Sequence, residues 1–249
     1  MKTVLITGAS SGYGRATALH FHAQGWHVIA TMRTPRPGVL PESDRLRVLA
    51  LDVTEPGTIA AAFEAAGPID VLVNNAGVPS IGVFEGTPMD RVREVFETNT
   101  FGVMATTRAV LPQFRERGSG VVINVTSSVV LGHMPLSAVY KASKMAVEGF
   151  TASLSLELAP FGVRAKTVEP GACLTTNFAA SATNGAPVEE LVPAPYAAWA
   201  KKTMDSFTDQ DLFTEESDVA ETVWRAAHDT TGQLRFPAGP DAVLLAQAK

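Results

Sequence analysis

Apolar residues are distributed along the chain in two alternating patterns. Short runs rich in apolar and β-branched residues fall at 2–6, 27–31, 47–51, 70–73, 121–125, 163–168 and 234–237. Such runs mark strands; the nearly unbroken Val121-Val122-Ile123-Asn124-Val125 predicts one covered on both faces, near the middle of a sheet. Between the runs, apolar residues recur at helical spacing. One helix follows the first run through Ala16, Leu19 and Ala23 and ends near Gly25. Others are expected at 55–66, with Pro56 in the first turn, at 88–117, at 137–161, and from a Ser217-Asp218 cap to about His228. Residues 34–44 are rich in proline and polar side chains and predict a loop, and a brief apolar tail closes the chain. Strands alternating with helices predict an α/β fold: one domain over 1–249, a doubly wound parallel sheet of about seven strands, and helices on both faces.

The segment 172–213 breaks this rhythm. It has little periodicity, contains Gly185, Pro187, Pro193 and Pro195, and carries Leu174, Phe178, Tyr196, Trp199, Met204 and Phe207. A long irregular segment with so many large apolar groups predicts a cover over a substrate site, built from short helices.

Composition narrows the function classes. The 249 residues are 46% hydrophobic and 18% charged, with a formal net charge of −5. A mildly acidic surface does not favour nucleic acid or an anionic membrane. A single cysteine, Cys173, excludes an intrachain disulfide and reads as a packing residue. The first apolar run is too short for a signal peptide or a membrane span, so a cytoplasmic location is expected. His20, His22 and His27 read as surface or packing groups, and no catalytic metal is expected.

The first strand runs into Thr7-Gly8-Ala9-Ser10-Ser11-Gly12-Tyr13-Gly14 and then a helix. Strand, glycine-rich turn and helix in this order make a phosphate-binding device, in which glycines admit a pyrophosphate and the helix start supplies N–H groups. A plain turn capped by Ser10 or Ser11 is the alternative. The second strand ends in Ala30-Thr31-Met32-Arg33, without the acid that would select a free ribose hydroxyl. Arg33 could hold a 2′-phosphate, which points to NADP(H) rather than NAD(H). Tyr140 and Lys144 lie four apart on a predicted helix and share a face. A cation beside a phenol favours the phenolate and suits the pair to acid–base work near neutral pH.

Thr-Gly-x-x-x-Gly-x-Gly at the start, Asn74-Asn75-Ala76-Gly77 after the fourth strand, and Ser127 thirteen residues before Tyr-x-x-x-Lys together resemble the short-chain dehydrogenase/reductase (SDR) family. The resemblance covers almost the whole chain and is weakest over 172–213 and the C-terminus. It implies a Rossmann-type fold and hydride transfer between NADP(H) and a ketone or secondary alcohol, with reduction as the main direction. It implies catalytic roles for Asn99, Ser127, Tyr140 and Lys144: Ser127 holding the substrate oxygen, Tyr140 passing the proton, Lys144 lowering the phenol pKa and gripping the nicotinamide ribose, and Asn99 holding a water through its carbonyl. The implied cofactor contacts are Gly8, Ser10, Ser11, Gly12, Tyr13, Gly14, Arg33, Asp52, Val53, Asn75, Ala76, Gly77, Tyr140, Lys144, Pro170, Gly171 and Thr175. Three assignments stay open: Thr176 beside Thr175, Ser128 beside Ser127, and Asp52 as a helix cap as well as an adenine contact. Ser11 stands where the family often has a second basic residue, which weakens the NADP argument. His133-Met134-Pro135-Leu136 is expected to line an apolar substrate pocket. The family commonly forms dimers or tetramers through its long helices, so a homo-oligomer is implied. Two other readings remain: a nucleotide-binding sensor without turnover, and a related epimerase or lyase.

Overall fold

The computed structural model describes residues 1–176, 192–207 and 212–248, the last two residues of the middle stretch by backbone alone. Seven strands form one sheet: β1 (Thr3–Ile6), β2 (His27–Met32), β3 (Leu46–Ala50), β4 (Val71–Asn74), β5 (Gly120–Val125), β6 (Val163–Pro170) and β7 (Arg235–Ala238). Their order is β3-β2-β1-β4-β5-β6-β7 and every pairing is parallel. The winding reverses between β1 and β4, which opens a crevice at the carboxyl ends of those strands.

The helices are α1 (Gly12–Ala23), α2 (Pro56–Ala66), α3 (Met89–Phe96), α4 (Gly102–Arg117), α5 (Ala138–Leu158), α6 (Ala197–Phe207), α7 (Glu216–His228) and α8 (Pro240–Gln247). They bury the sheet on both faces. On one face Phe21, Trp26, Val219 and Val223 join Val4, Ile6, Val28 and Ile123. On the other, Ile59, Phe63, Phe114, Leu154 and Leu158 cover Leu5, Leu72 and Val122. The two-sided cover explains why β4 and β5 read as almost continuous apolar runs: every β4 residue is buried, as are five of the six in β5.

Most expected boundaries agree to within a residue or two, with four differences. The long helix expected over 88–117 is α3 and α4 joined by a π-helical turn, Glu97–Phe101, which carries Asn99. A widened turn keeps the helical path, so apolar spacing alone does not reveal it. The helix after β3 is capped at Glu55, and Asp52 instead accepts from Thr54 N and Thr54 Oγ1 at 3.0 and 2.8 Å, an Asx turn. The cap of α7 is Glu215, not Ser217; the Asp218 carboxylate accepts its N–H at 2.9 Å. The apolar tail is the helix α8, started by Pro240. Of the cover expected at 172–213, residues 177–191 and 208–211, with Phe178, Gly185 and Pro187, lie outside the described residues. Within the described part, α6 is one of the expected short helices, with Ala200 buried on its inner side.

Candidate active site

The glycine turn is built to be close to its neighbours. Gly8 has φ +70°, and a Cβ there would lie 2.7 Å from Ala76 Cα. At Gly14 a Cβ would lie 2.4 Å from both Asn75 Nδ2 and Gly8 O. That proximity is used: Asn75 Nδ2 donates to Thr7 O and Gly8 O at 3.0 and 3.1 Å, and Thr7 Oγ1 accepts from Asn75 N and Ala76 N, both at 3.0 Å. The first strand end and the Asn-Asn-Ala-Gly loop are thus one hydrogen-bonded unit. No side chain caps α1, and its first turn holds no acid. The N–H groups at its start are therefore available to an anion, as a pyrophosphate site requires.

Asn74 lies deeper. Its Nδ2 donates to Asn124 Oδ1 at 2.8 Å and Thr107 Oγ1 at 2.9 Å, and its Oδ1 accepts from Thr106 Oγ1 at 2.7 Å. Asn124 Nδ2 then donates to Thr151 Oγ1 at 2.8 Å. This buried chain ties β4, β5, α4 and α5 together under the site. Burying so many polar groups is tolerable because each is paired.

Asn99 is fully buried in the widened turn. Its side chain pairs with the Val78 backbone in both senses, Oδ1 accepting at 2.8 Å and Nδ2 donating at 2.9 Å, and Nδ2 also donates to Ser143 Oγ at 3.1 Å. It therefore fixes the backbone just beyond Gly77 to the helix that carries Tyr140 and Lys144. A Cβ placed on Gly77 would lie 3.2 Å from Asn99 Oδ1 and 3.5 Å from Lys144 Nζ, so all three converge.

Ser127 follows β5, and its hydroxyl accepts from Val129 N at 3.3 Å and hydrogen-bonds Tyr140. The cap role and the catalytic placement coexist in one residue. Neighbouring Ser128 is buried. Lys144 Nζ donates to Val125 O at 3.0 Å and lies 5.8 Å from the Tyr140 ring centre. Burial pulls the Lys144 ammonium down to about 8, opposed by the negative charge of Glu148. Burial also pushes the Tyr140 phenol above its ordinary value, with the Ser127 hydrogen bond acting the other way. Burial thus sets the direction for both groups, disfavouring phenolate and ammonium alike, rather than the lowering of the phenol expected from Lys144.

Tyr13 bridges the crevice: its hydroxyl donates to Gly171 O at 3.0 Å, from the glycine turn to the loop after β6. Burial raises the Tyr13 phenol. That loop is anchored by a residue the motifs do not include. Asp241, on α8, accepts from Ala172 N at 2.7 Å and from Thr214 Oγ1 at 2.5 Å. A carboxylate in an apolar tail was the one available sign of it. Of the two threonines, Thr175 Oγ1 sits 3.2 Å from Cys173 Sγ, whereas the Thr176 methyl is the group nearest Gly12. The Cys173 thiol is thus in a polar contact rather than in the apolar packing expected. Arg33, Ser11 and the side of the crevice near them are exposed. Val53 is buried in a notch at Gly102, where a Cβ would lie 2.7 Å from its Cγ2.

Just before α5, Leu136 is the only non-glycine residue among the described residues with positive φ, at 60°. It is buried with Val83 and Ala200, flanked by Ile81, Val192, Tyr196 and Met204. Among the described residues no group of histidine, cysteine or carboxylate side chains could hold a metal ion, and no helix is long and apolar enough to cross a membrane.

The glycine turn, the Asn-Asn-Ala-Gly loop and the group of Ser127, Tyr140 and Lys144 thus meet at the winding reversal, an arrangement of the dehydrogenase type. The family model described as short chain dehydrogenase matches residues 2–186, and this chain belongs to that family. It is 38% identical over 256 residues to the uncharacterized oxidoreductase YusZ of Bacillus subtilis, covering 96% of this chain and 89% of that protein. It also resembles the closed form of serine dehydrogenase complexed with NADP+, at 28% identity and TM-score 0.78, over 94% of this chain and 93% of the other. A third similarity is to 3-ketoacyl-(acyl-carrier-protein) reductase from Brucella melitensis complexed with NADH, at 28% identity and TM-score 0.76, over 95% and 96% of the two chains.

Proposed function

We propose that this oxidoreductase is an NADP(H)-dependent reductase of ketones, running in reverse on secondary alcohols. The observation that carries the reading is the Ser127–Tyr140 hydrogen bond, with Lys144 one helical turn from Tyr140 and its Nζ held by Val125 O. When bound, the nicotinamide supplies or accepts the hydride. Ser127 holds the carbonyl oxygen and stabilises charge as it develops there. Tyr140 Oη delivers the proton to that oxygen, or takes it from an alcohol. Lys144 supplies positive charge beside the phenol and a donor to the ribose hydroxyls. Asn99 holds the loop after Gly77 against α5, so that these groups keep their spacing.

Support for NADP(H) comes from Arg33, exposed at the end of β2 with no acid beside it. Structures of similar chains carry either nicotinamide, so the cofactor choice rests on this residue. An apolar substrate is supported by the cluster of Leu136, Val83 and Ala200 next to the site. Assembly as a homo-oligomer through the long helices is supported by exposed Phe101, Met145 and Leu156 beside and along them. Light scattering would test it, and a monomer would remove it.

The test of the reaction is consumption of NADPH, and separately of NADH, against a panel of ketones and aldehydes. NADPH-dependent turnover of an apolar ketone is expected. Preference for NADH removes Arg33 from the cofactor site. Binding of either cofactor without turnover of any carbonyl or alcohol replaces the reductase with a sensor.

A further inference from the structure

Behind Lys144, away from the crevice, lies a cluster that the reaction as written does not use. Glu148 is one turn beyond Lys144 on α5, and its charge acts on the Lys144 ammonium. Its Oε1 accepts from Thr126 Oγ1 at 2.7 Å and its Oε2 from Thr167 Oγ1 at 3.3 Å. Thr126 immediately precedes Ser127. Glu169, near the end of β6, is fully buried. A single guanidinium serves both acids: Arg235 Nε lies 2.5 Å from Glu169 Oε1 and 3.4 Å from Glu148 Oε2. The second oxygen of Glu169 is buried and no donor among the described residues reaches it; the Glu148 carboxyl lies within hydrogen-bonding reach of Glu169.

Charge counting makes this arrangement unusual. One fully buried and one partly buried carboxylate face a single, partly exposed guanidinium, and the next cation, Lys144, is itself strongly desolvated. Full ionisation of both acids would leave the lone Glu169 oxygen as uncompensated buried charge. A proton on the Glu169 carboxyl removes that charge.

We propose that Glu148 and Glu169 share one proton near neutral pH and act as positioning residues, holding the charge state of Lys144 from behind. The inference rests on the reductase reading for its kinetic consequence, but not for the shared proton itself. Burial, with Glu148 beside it, pushes the Glu169 carboxyl up to about 7, while Arg235 pulls it down. The sign follows. Below that pH the pair carries one negative charge, and above it two. The added charge arrives as Lys144 approaches its own loss of a proton near 8, and it holds the ammonium to higher pH. Of the other charged groups on packed elements, Lys166 is paired with Asp229 at 2.5 Å, Arg91 with Glu94 at 2.7 Å, and Asp241 is held by Thr214 and Ala172. On α5 itself, Tyr140 and Lys141 are the other titratable neighbours of Lys144, and Lys141 Nζ donates to Gly132 O. None of these compensates the acid pair.

Infrared spectroscopy of the wild-type protein tests the shared proton without substrate. A protonated carboxyl has a carbonyl stretch that a carboxylate lacks. The band is expected at neutral pH, to shift on selective 13C labelling of glutamate, to fade as pH rises through about 7, and to be missing in Glu169→Gln. The kinetic arm compares pH profiles of kcat/KM for ketone reduction. In Glu148→Gln the alkaline limb is expected to move to lower pH by on the order of one unit, and in Glu169→Gln by about half a unit, as loss of a nearby charge implies. Absence of the glutamate band overturns the proposal, as does coincidence of the alkaline limbs in wild type and Glu169→Gln. A glutamate band in a protein that turns over no carbonyl or alcohol sinks the reductase reading and leaves the proton pair standing.

Discussion

The two walls of the crevice are made of different material. The wall proposed for the cofactor, from Thr7 to Gly14 and Asn74 to Gly77, is held by hydrogen bonds between named polar groups and by backbone contact that only glycine permits. The wall proposed for the substrate, around Leu136, Val83 and Ala200, is held by apolar contact. Hydrogen bonds with fixed geometry tolerate few residue types, and apolar contact tolerates many. One wall should therefore fail sharply when altered, and the other should change what it accepts.

The largest expected effect is in the buried network. Asn74→Ala removes the donor to Asn124 Oδ1 and Thr107 Oγ1, whereas Thr106 Oγ1 keeps Gly102 O and Val103 O, and each stranded group costs about 1–3 kcal/mol. A loss of several kcal/mol in a denaturant titration is expected; a loss under about 1 kcal/mol would make the network ornamental to the fold. Next comes Gly14→Ala. Its methyl would push Asn75 from the glycine turn, and overpacking of this kind costs about 1–3 kcal/mol. A weakening of NADPH binding by at least tenfold is expected, read by fluorescence titration. Arg33→Ala should weaken NADPH by about tenfold, the worth of one charge-assisted hydrogen bond, and leave NADH unchanged. Equal losses for both cofactors would place Arg33 outside the phosphate site. Smallest in its effect on cofactor binding is Leu136→Gly on the apolar wall. Glycine accepts the positive φ at little cost, which offsets only part of the lost burial. A fall in Tm on the order of 5–10 °C is expected, with KM for the ketone moving more than KM for NADPH. The reverse order of the two KM changes would remove Leu136 from the substrate wall.

The same contrast explains what was legible in the sequence. The glycine turn, Asn75, Ser127, Tyr140 and Lys144 could be read because their residue types are demanded by geometry at fixed spacing. The strands, and the place of β5 inside the sheet, were legible because two-sided burial leaves continuous apolar runs; the order of the strands was not read. The widened turn at Asn99 was not, because a π turn preserves the helical path around it. Helix α8 looked like a tail because Ala242, Val243, Leu244 and Leu245 give no polar face to set a period. Asp241 was missed because it acts across 69 residues of chain, on Ala172 N. Glu148 and Glu169 were missed for the same reason, although a carboxylate ending the run at Val168 was a visible irregularity. The expected lowering of the Tyr140 phenol by Lys144 gave way to burial: spacing places two groups side by side, but does not say how far both are from water.

The central claim is that Tyr140 transfers the proton from a site assembled independently of it. The direct measurement is Tyr140→Phe, with NADPH affinity by fluorescence and kcat/KM on the same preparation. Removing a positioned general acid costs about 10²–10⁴-fold in rate. The account predicts that loss with NADPH affinity unchanged within twofold. Retention of more than about a tenth of the wild-type rate, with cofactor bound normally, would contradict it.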